Sequence, residues 1–248
     1  MIDNTVNRRV PKRKNPLAFF KYLPAILILV ILGLFFFLQR SGVQEQYAFI
    51  IFLLIIIPIT LLVGMIENDR WKESWQDFAK RAGYSYEEYK VGIGKWARIK
   101  GHYHEFPLRI EKFARGSGRY KRFYTSIVVG LKEPSDEALE IKSRSLLSGA
   151  GKFFSGKKGL KPVDIGDMEL DGKLVFRSTS DPFARRVLSS VRVRQALLEI
   201  DEQTQRMVIT VTGNVVSYQE LGVVVDPAYL YALVKTLAEI AHNAGGVR

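Results

Sequence analysis

The stretch Gly151 to Lys158 reads GKFFSGKK, one residue type away from a phosphate-binding loop. That motif, G-x-x-x-x-G-K-[ST], cradles phosphates with backbone amides at a helix N-terminus and holds magnesium with its hydroxyl. Gly151, Gly156 and Lys157 fill their places, but Lys158 stands where the hydroxyl should be, and the GLKPVDIGD that follows cannot supply the helix. A nucleotide site is therefore not expected. Asp167 to Gly172, DMELDG, opens like a calcium loop, yet its twelfth position is Ser178 instead of a bidentate glutamate. An acidic turn leading into the strand KLVFRS is the expectation. His102 and His104 have the spacing that puts two imidazoles on one strand face, where they could bind a metal, but His104 falls at a predicted bend and the third histidine, His242, is far away in sequence. With no cysteine and no G-x-S-x-G elbow, nucleophilic catalysis would have to use these same histidines. Glu87 and Glu88 sit side by side in a solvent-like stretch and do not form an evident acid/base pair. The sequence thus leads to no expected catalytic residue, metal or cofactor.

The residues around the phosphate-loop mimic suggest a different chemistry. Between Ser143 and Pro162 lie Arg144, Lys152, Lys157, Lys158 and Lys161, a net +5 with no acid, interleaved with Leu146, Leu147, Phe153, Phe154 and Leu160. Basic side chains beside aromatic ones are what interfacial membrane contact uses, each contributing on the order of 1 kcal/mol near an anionic surface. Docking on a partner subunit and plain packing of the loop stay open as alternatives. Trp71 and Trp75 raise the same question, since they can sit at headgroup level or fill the soluble core.

The elements that must position these residues follow from periodicity. RWKESWQDFAKRAG has Trp71, Trp75, Phe78, Ala79 and Ala82 at helical spacing, with Gly83 as the cap. Alternation from Trp96 to Tyr103 and from Leu108 to Ala114 predicts two strands around a bend at His104 and Glu105. RYKRFYTSIVVGLK adds a third, LEIK a short fourth, and KLVFRS another. Asp181-Pro182 reads as the start of a helix PFARRVL, and Ser189 or Ser190 as the start of a second, VRVRQALLEI. RMVITVT and VVSY flank Gly213-Asn214 as a tight hairpin, and Asp226-Pro227 starts a last helix with Leu230, Leu233, Val234, Leu237 and Ile240 on one face. With no βαβ series, residues 67–248 are expected to form an α+β domain of antiparallel strands and packed helices.

Ahead of this domain stand two uncharged apolar blocks, Leu23 to Leu38 and Tyr47 to Ile66. A helix needs about 20 apolar residues to cross roughly 30 Å of hydrocarbon, which the second block meets alone and the first with Phe19 to Tyr22. Read as a signal peptide, the first block would need a cleavage site that LQRSGV does not offer. A transmembrane hairpin is expected. Six basic residues precede it and only Arg40 lies in the connector, which places residues 1–22 and the α+β domain in the cytoplasm by the positive-inside rule. Residues 1–22 carry a net +5, so of the chain's +12 most sits in this tail and in the loop 143–162, a layout suited to anionic lipid more than to nucleic acid.

The segment from Ile165 to Asp201, IGDMELDGKLVFRSTSDPFARRVLSSVRVRQALLEID, resembles the recurrent core of a bacterial membrane-anchored family known as a domain of unknown function. Its pattern is an acidic residue, a strand, Asp-Pro, an Ala-Arg helix, a leucine and a second helix; Leu170 replaces the family's usual phenylalanine. The resemblance implies a transmembrane hairpin before a cytosolic α+β domain and carries over no catalytic residue. Together these features make the expected role non-catalytic: a scaffold, assembly or accessory subunit of an inner-membrane complex. The alternatives are a binder of anionic lipid or a small ligand and, third, an unrecognised hydrolase. The expected partners are the bilayer, its anionic headgroups and other subunits of a membrane complex, with no nucleic acid.

Overall fold

The computed structural model describes Gly33, Arg40 and residues 71–91, 94–117, 120–146, 159–204 and 207–245. The two apolar blocks, Gly33 excepted, lie outside the described residues. Among the described residues no helix is long and apolar enough to cross a membrane. The chain divides into two compact units, residues 14–73 and the remainder, and the α+β fold belongs to the remainder.

Helix α1 covers 71–82 and buries Trp75, Phe78 and Ala79. It stops at Gly83, whose φ of +70° suits a residue without a Cβ. The Tyr84 N–H reaches back to the Ala79 carbonyl at 2.8 Å, so the last turn is closed in the Schellman manner. The strands that follow are β1 (Ser85–Val91), β2 (Gly94–Tyr103), β3 (Phe106–Arg115) and β4 (Arg122–Ser143). Then come β5 (Lys161–Val163), helix α2 (Met168–Lys173), β6 (Leu174–Ser178), helices α3 (Asp181–Val187) and α4 (Val191–Thr204), β7 (Val208–Leu221) and helix α5 (Pro227–Ala244). The expected α+β class of antiparallel strands with packed helices is what the chain adopts.

Every strand pairing is antiparallel, in the order β1-β2-β3-β4-β6-β5, with β7 along the other edge of β4. β4 is thus the spine. Its first half pairs with β3 and the C-terminal arm of β7, and its second half with β6 and the N-terminal arm of β7. LEIK is therefore not a separate fourth strand but the end of a 22-residue one. The break in periodicity between the halves, KEPSDEA, comes from register shifts between Gly130 and Leu139, where Pro134 has no N–H to give a ladder.

Across the same region β7 turns sharply at Gly213, whose φ is +59°. The Thr210 and Ser217 hydroxyls, seven residues apart on the strand, meet at 2.7 Å. The expected Gly213-Asn214 hairpin between two strands is not formed: both flanks belong to the single strand β7, paired along β4, and Gly213 bends it. The two halves of the sheet consequently fold toward each other: the face holding Glu140 and Thr210 meets the face holding Val128 and Ser217.

The core lies on the opposite face, under α5. Leu230, Leu233, Val234, Leu237 and Ile240 are at most 1% exposed, as their spacing predicts, and Asp226 caps the helix by accepting the Ala228 N–H at 2.9 Å. Ser180, not Asp181, is the N-cap of α3 and accepts the Phe183 N–H; Asp181 and Pro182 follow as the first helical residues. Ser190 caps α4 through the Val193 N–H. Strand β1 was not evident in the sequence because SYEEYKV contains no aliphatic alternation and lies on the sheet edge. It separates the two neighbouring glutamates, Glu87 pairing with Lys100 at 2.9 Å and Glu88 accepting from Tyr86.

Candidate functional site

The acidic turn is a backbone clamp. Asp171 accepts the N–H groups of Ile165, Gly166 and Asp167 at 3.3, 3.0 and 3.1 Å, and Asp167 caps α2 by accepting from Glu169 and Leu170. The turn therefore leads into a short helix, not straight into the strand KLVFRS, because the capped backbone of Met168 to Lys173 has its first N–H groups satisfied. The Gly166 N–H also holds the Asp164 carboxyl below the usual carboxylate range, with Asp171 hydrogen bonding and the Arg185 charge adding to it. Arg185 grips the Asp164 and Ile165 carbonyls at 2.9 and 3.2 Å, and Arg194 reaches Asp167 at 3.4 Å. The acidic and arginine positions of Ile165 to Asp201 thus tie α3 and α4 to this turn.

The turn's carboxylate oxygens are occupied by N–H donors, and no group of His, Asp or Glu among the described residues is placed to hold a metal ion. Asp171→Ala should cost about 1–3 kcal/mol of unfolding free energy by orphaning three donors. Calcium or a chelator should leave the melting temperature of the unaltered protein where it is. A calcium-dependent rise would show that the turn opens to bind the ion. His104 occupies the β2–β3 turn with φ of +53° while His102 stays exposed on β2, so the two do not share a strand face.

Of the residues singled out for membrane or partner contact, Leu147, Lys152, Phe153, Phe154, Lys157 and Lys158 lie outside the described residues, as does the side chain of Leu146. Arg144 is exposed and donates to the Asp171 carbonyl at 2.6 Å, which anchors the start of the loop on the acidic turn. Lys161 is exposed at the start of β5. Leu160 is buried and its carbonyl takes a hydrogen bond from Arg177 at 2.9 Å, so it belongs to the core rather than to a contact surface. After Gly159 the chain enters the three-residue β5, and no helix N-terminus follows GKFFSGKK.

Trp75 is a correction to the contact set. It is fully buried, and its indole N–H donates to the Val224 carbonyl at 2.7 Å. Burying the whole ring while satisfying its single donor is the arrangement a core tryptophan needs, and it leaves no surface for headgroups. Trp71 is buried as well.

A group that the charge count did not single out surrounds the β3–β4 hairpin. From Lys112 to Lys132 the sequence contains no acid, and Lys112, Arg115, Arg119, Lys121 and Arg122 fall in its first half. Lys121 lies 5.8 Å from the centre of the Trp96 ring and 5.6 Å from that of Phe123, the two rings standing 6.1 Å apart. Phe113 and Tyr124 stack at 5.3 Å, with the Arg115 guanidinium 5.3 and 5.6 Å from their centres. Tyr120 and Phe123 are 75% and 40% exposed, among the most exposed large apolar or aromatic side chains described. The acid-free run was visible in the sequence. Its alignment with Trp96 on another strand was not.

Beneath this end, Tyr218 donates to the buried Glu220 carboxylate. Burial, and the Glu220 charge beside it, push the Tyr218 hydroxyl well above its ordinary range and keep it protonated. At the opposite end the Tyr103 ring packs on Tyr231 and His104, and burial raises its hydroxyl also.

No protein-family model matches the chain, and no curated protein matches its sequence. Among solved structures, the chain is similar to the mycobacterial trehalose monomycolate transport factor A, TtfA, over 71% of this chain and 94% of that one, with a TM-score of 0.49 and 14% identity.

Proposed function

We propose that the chain is an integral inner-membrane protein, anchored by a hairpin of two helices at about 23–38 and 47–66, that presents its α+β domain to the cytoplasm as a scaffold, assembly or accessory subunit of a membrane complex. The observation that carries this reading is the layout of residues 1–66: two uncharged apolar blocks, six basic residues before them and one in the connector. The domain's charges Arg185 and Asp171 are engaged in holding the fold, and exposed basic and aromatic side chains are gathered at one end, as in a surface that binds rather than catalyses. A second reading, a binder of anionic lipid at the membrane surface, is favoured by that same group and is compatible with the first.

The chain has no cysteine, so single engineered thiols report topology cleanly. In intact cells a membrane-impermeant maleimide should label Ser41→Cys in the connector. It should label Ser189→Cys, exposed between α3 and α4, only after permeabilisation. Labelling of Ser189→Cys from outside would reverse the orientation.

A further inference from the structure

We infer that the end of the domain at which the chain enters is a lipid-contact face: the β3–β4 hairpin, with Arg115, Lys121 and Arg122 beside Tyr120, Phe123 and Trp96, rests on anionic phospholipid headgroups. This rests on the anchor reading, and it names the surface that the anchor brings to the bilayer.

The first support is where the chain enters. Ser74, in the first turn of α1, donates through its hydroxyl to the Val225 carbonyl, and Trp75 donates to Val224. The Val224 N–H donates to the Thr125 hydroxyl at 2.9 Å, that hydroxyl donates to the Gly222 carbonyl at 3.0 Å, and the Gly222 N–H donates to the Phe123 carbonyl at 2.8 Å. An unbroken run of hydrogen bonds therefore connects the first turn of α1 to the base of the β3–β4 hairpin. Antiparallel register brings the β1–β2 hairpin, with exposed Lys90, to the same end, since Val91 faces Gly94 and Arg115 faces Arg122. Residues 67–73 are all that separates Ile66, the end of the second apolar block, from Ser74.

The second support is polarity. Arg115, Lys121 and Arg122 are exposed at this end, with Glu73 in the first turn of α1, whereas Glu133 and Asp136 are exposed at the other, on the outer arc of β4, where Glu105 is paired with Lys132 at 2.6 Å. A domain charged in this way is oriented by an anionic surface, basic end inward, and loses that orientation as salt screens the attraction. The third is composition: aromatic rings with cations over or beside them suit the headgroup layer, where the ring has an apolar surrounding and the charge meets phosphate.

The test uses the full chain reconstituted in vesicles of neutral phosphatidylcholine, with or without phosphatidylglycerol. An environment-sensitive dye is attached at Ser117→Cys in the hairpin or at Asp136→Cys at the far end. In anionic vesicles at low salt, a headgroup nitroxide lipid should quench the Ser117 dye and spare the Asp136 dye, and high salt should relieve the quenching. Lys121→Gln with Arg122→Gln, both exposed and outside the core, should weaken the contact equilibrium roughly thirtyfold, the loss of two basic side chains at an anionic surface. Equal quenching at both sites, or quenching that ignores both anionic lipid and the double substitution, would overturn the inference. Retention in neutral vesicles after alkaline carbonate reports the anchor separately. Protein retained there with an unquenched Ser117 dye refutes the contact face alone, and protein washed out refutes the anchor.

Discussion

Lys142→Ala should destabilise the domain by about 3–5 kcal/mol, the cost of leaving a buried carboxylate without its counter-charge. Lys142 and Glu140 pair at 2.9 Å with side chains only 6% and 2% exposed. They are two residues apart on β4 and on the same face, which the folding of the sheet at Gly213 closes over. The urea midpoint of the full chain in detergent, followed by tryptophan fluorescence, measures the change. Glu140→Leu combined with Lys142→Met should recover most of the loss, because an apolar pair of similar volume carries no desolvation penalty. A single-substitution loss of less than about 1 kcal/mol, the size of an exposed pair, would mean that water reaches the site.

Trp75→Ala carries a comparable expected loss, about 3–5 kcal/mol for emptying a fully buried aromatic site. Trp75→Phe separates the two contributions. It keeps most of the ring volume and removes the hydrogen bond to Val224, for an expected loss well below that of Trp75→Ala, about 1–2 kcal/mol. Both variants should leave lipid binding unchanged once compared at temperatures where they are folded. If Trp75 instead lay among headgroups, Trp75→Ala would change stability by less than about 0.5 kcal/mol, as surface substitutions do, and would weaken lipid binding.

These two sites also mark where reading the sequence succeeded and where it stopped. The helices were legible wherever a cap and an apolar stripe coincide. Asp226-Pro227 with Leu230, Leu233, Val234, Leu237 and Ile240 is α5 to within a residue, and Trp75 with Phe78 and Ala79 is the buried stripe of α1. Alternation around Ile99, Ile110 and Ile127 also placed the central strands. β1 was missed because an edge strand needs no aliphatic face. LEIK looked like a separate strand because Pro134 and the bulge hide the continuity of β4.

The amino-acid sequence by itself determined the capped helices and central strands, the α+β class, the two apolar blocks and the concentration of charge in residues 1–22 and 143–162, since each depends on neighbours a few positions apart. It could not decide between headgroup and core for Trp75, because one apolar stripe looks the same whatever covers it. Tertiary structure decided that, through the Val224 carbonyl that receives the indole N–H. It decided, too, that Glu140 and Lys142, on what alternation reads as the polar face of a strand, are enclosed between two halves of one sheet. It brought Trp96 on β2 into line with Lys121 and Phe123 across two strand pairings. In each case the deciding contacts join residues far apart in the chain, and only the register of the strands and the turn at Gly213 set which of those residues meet.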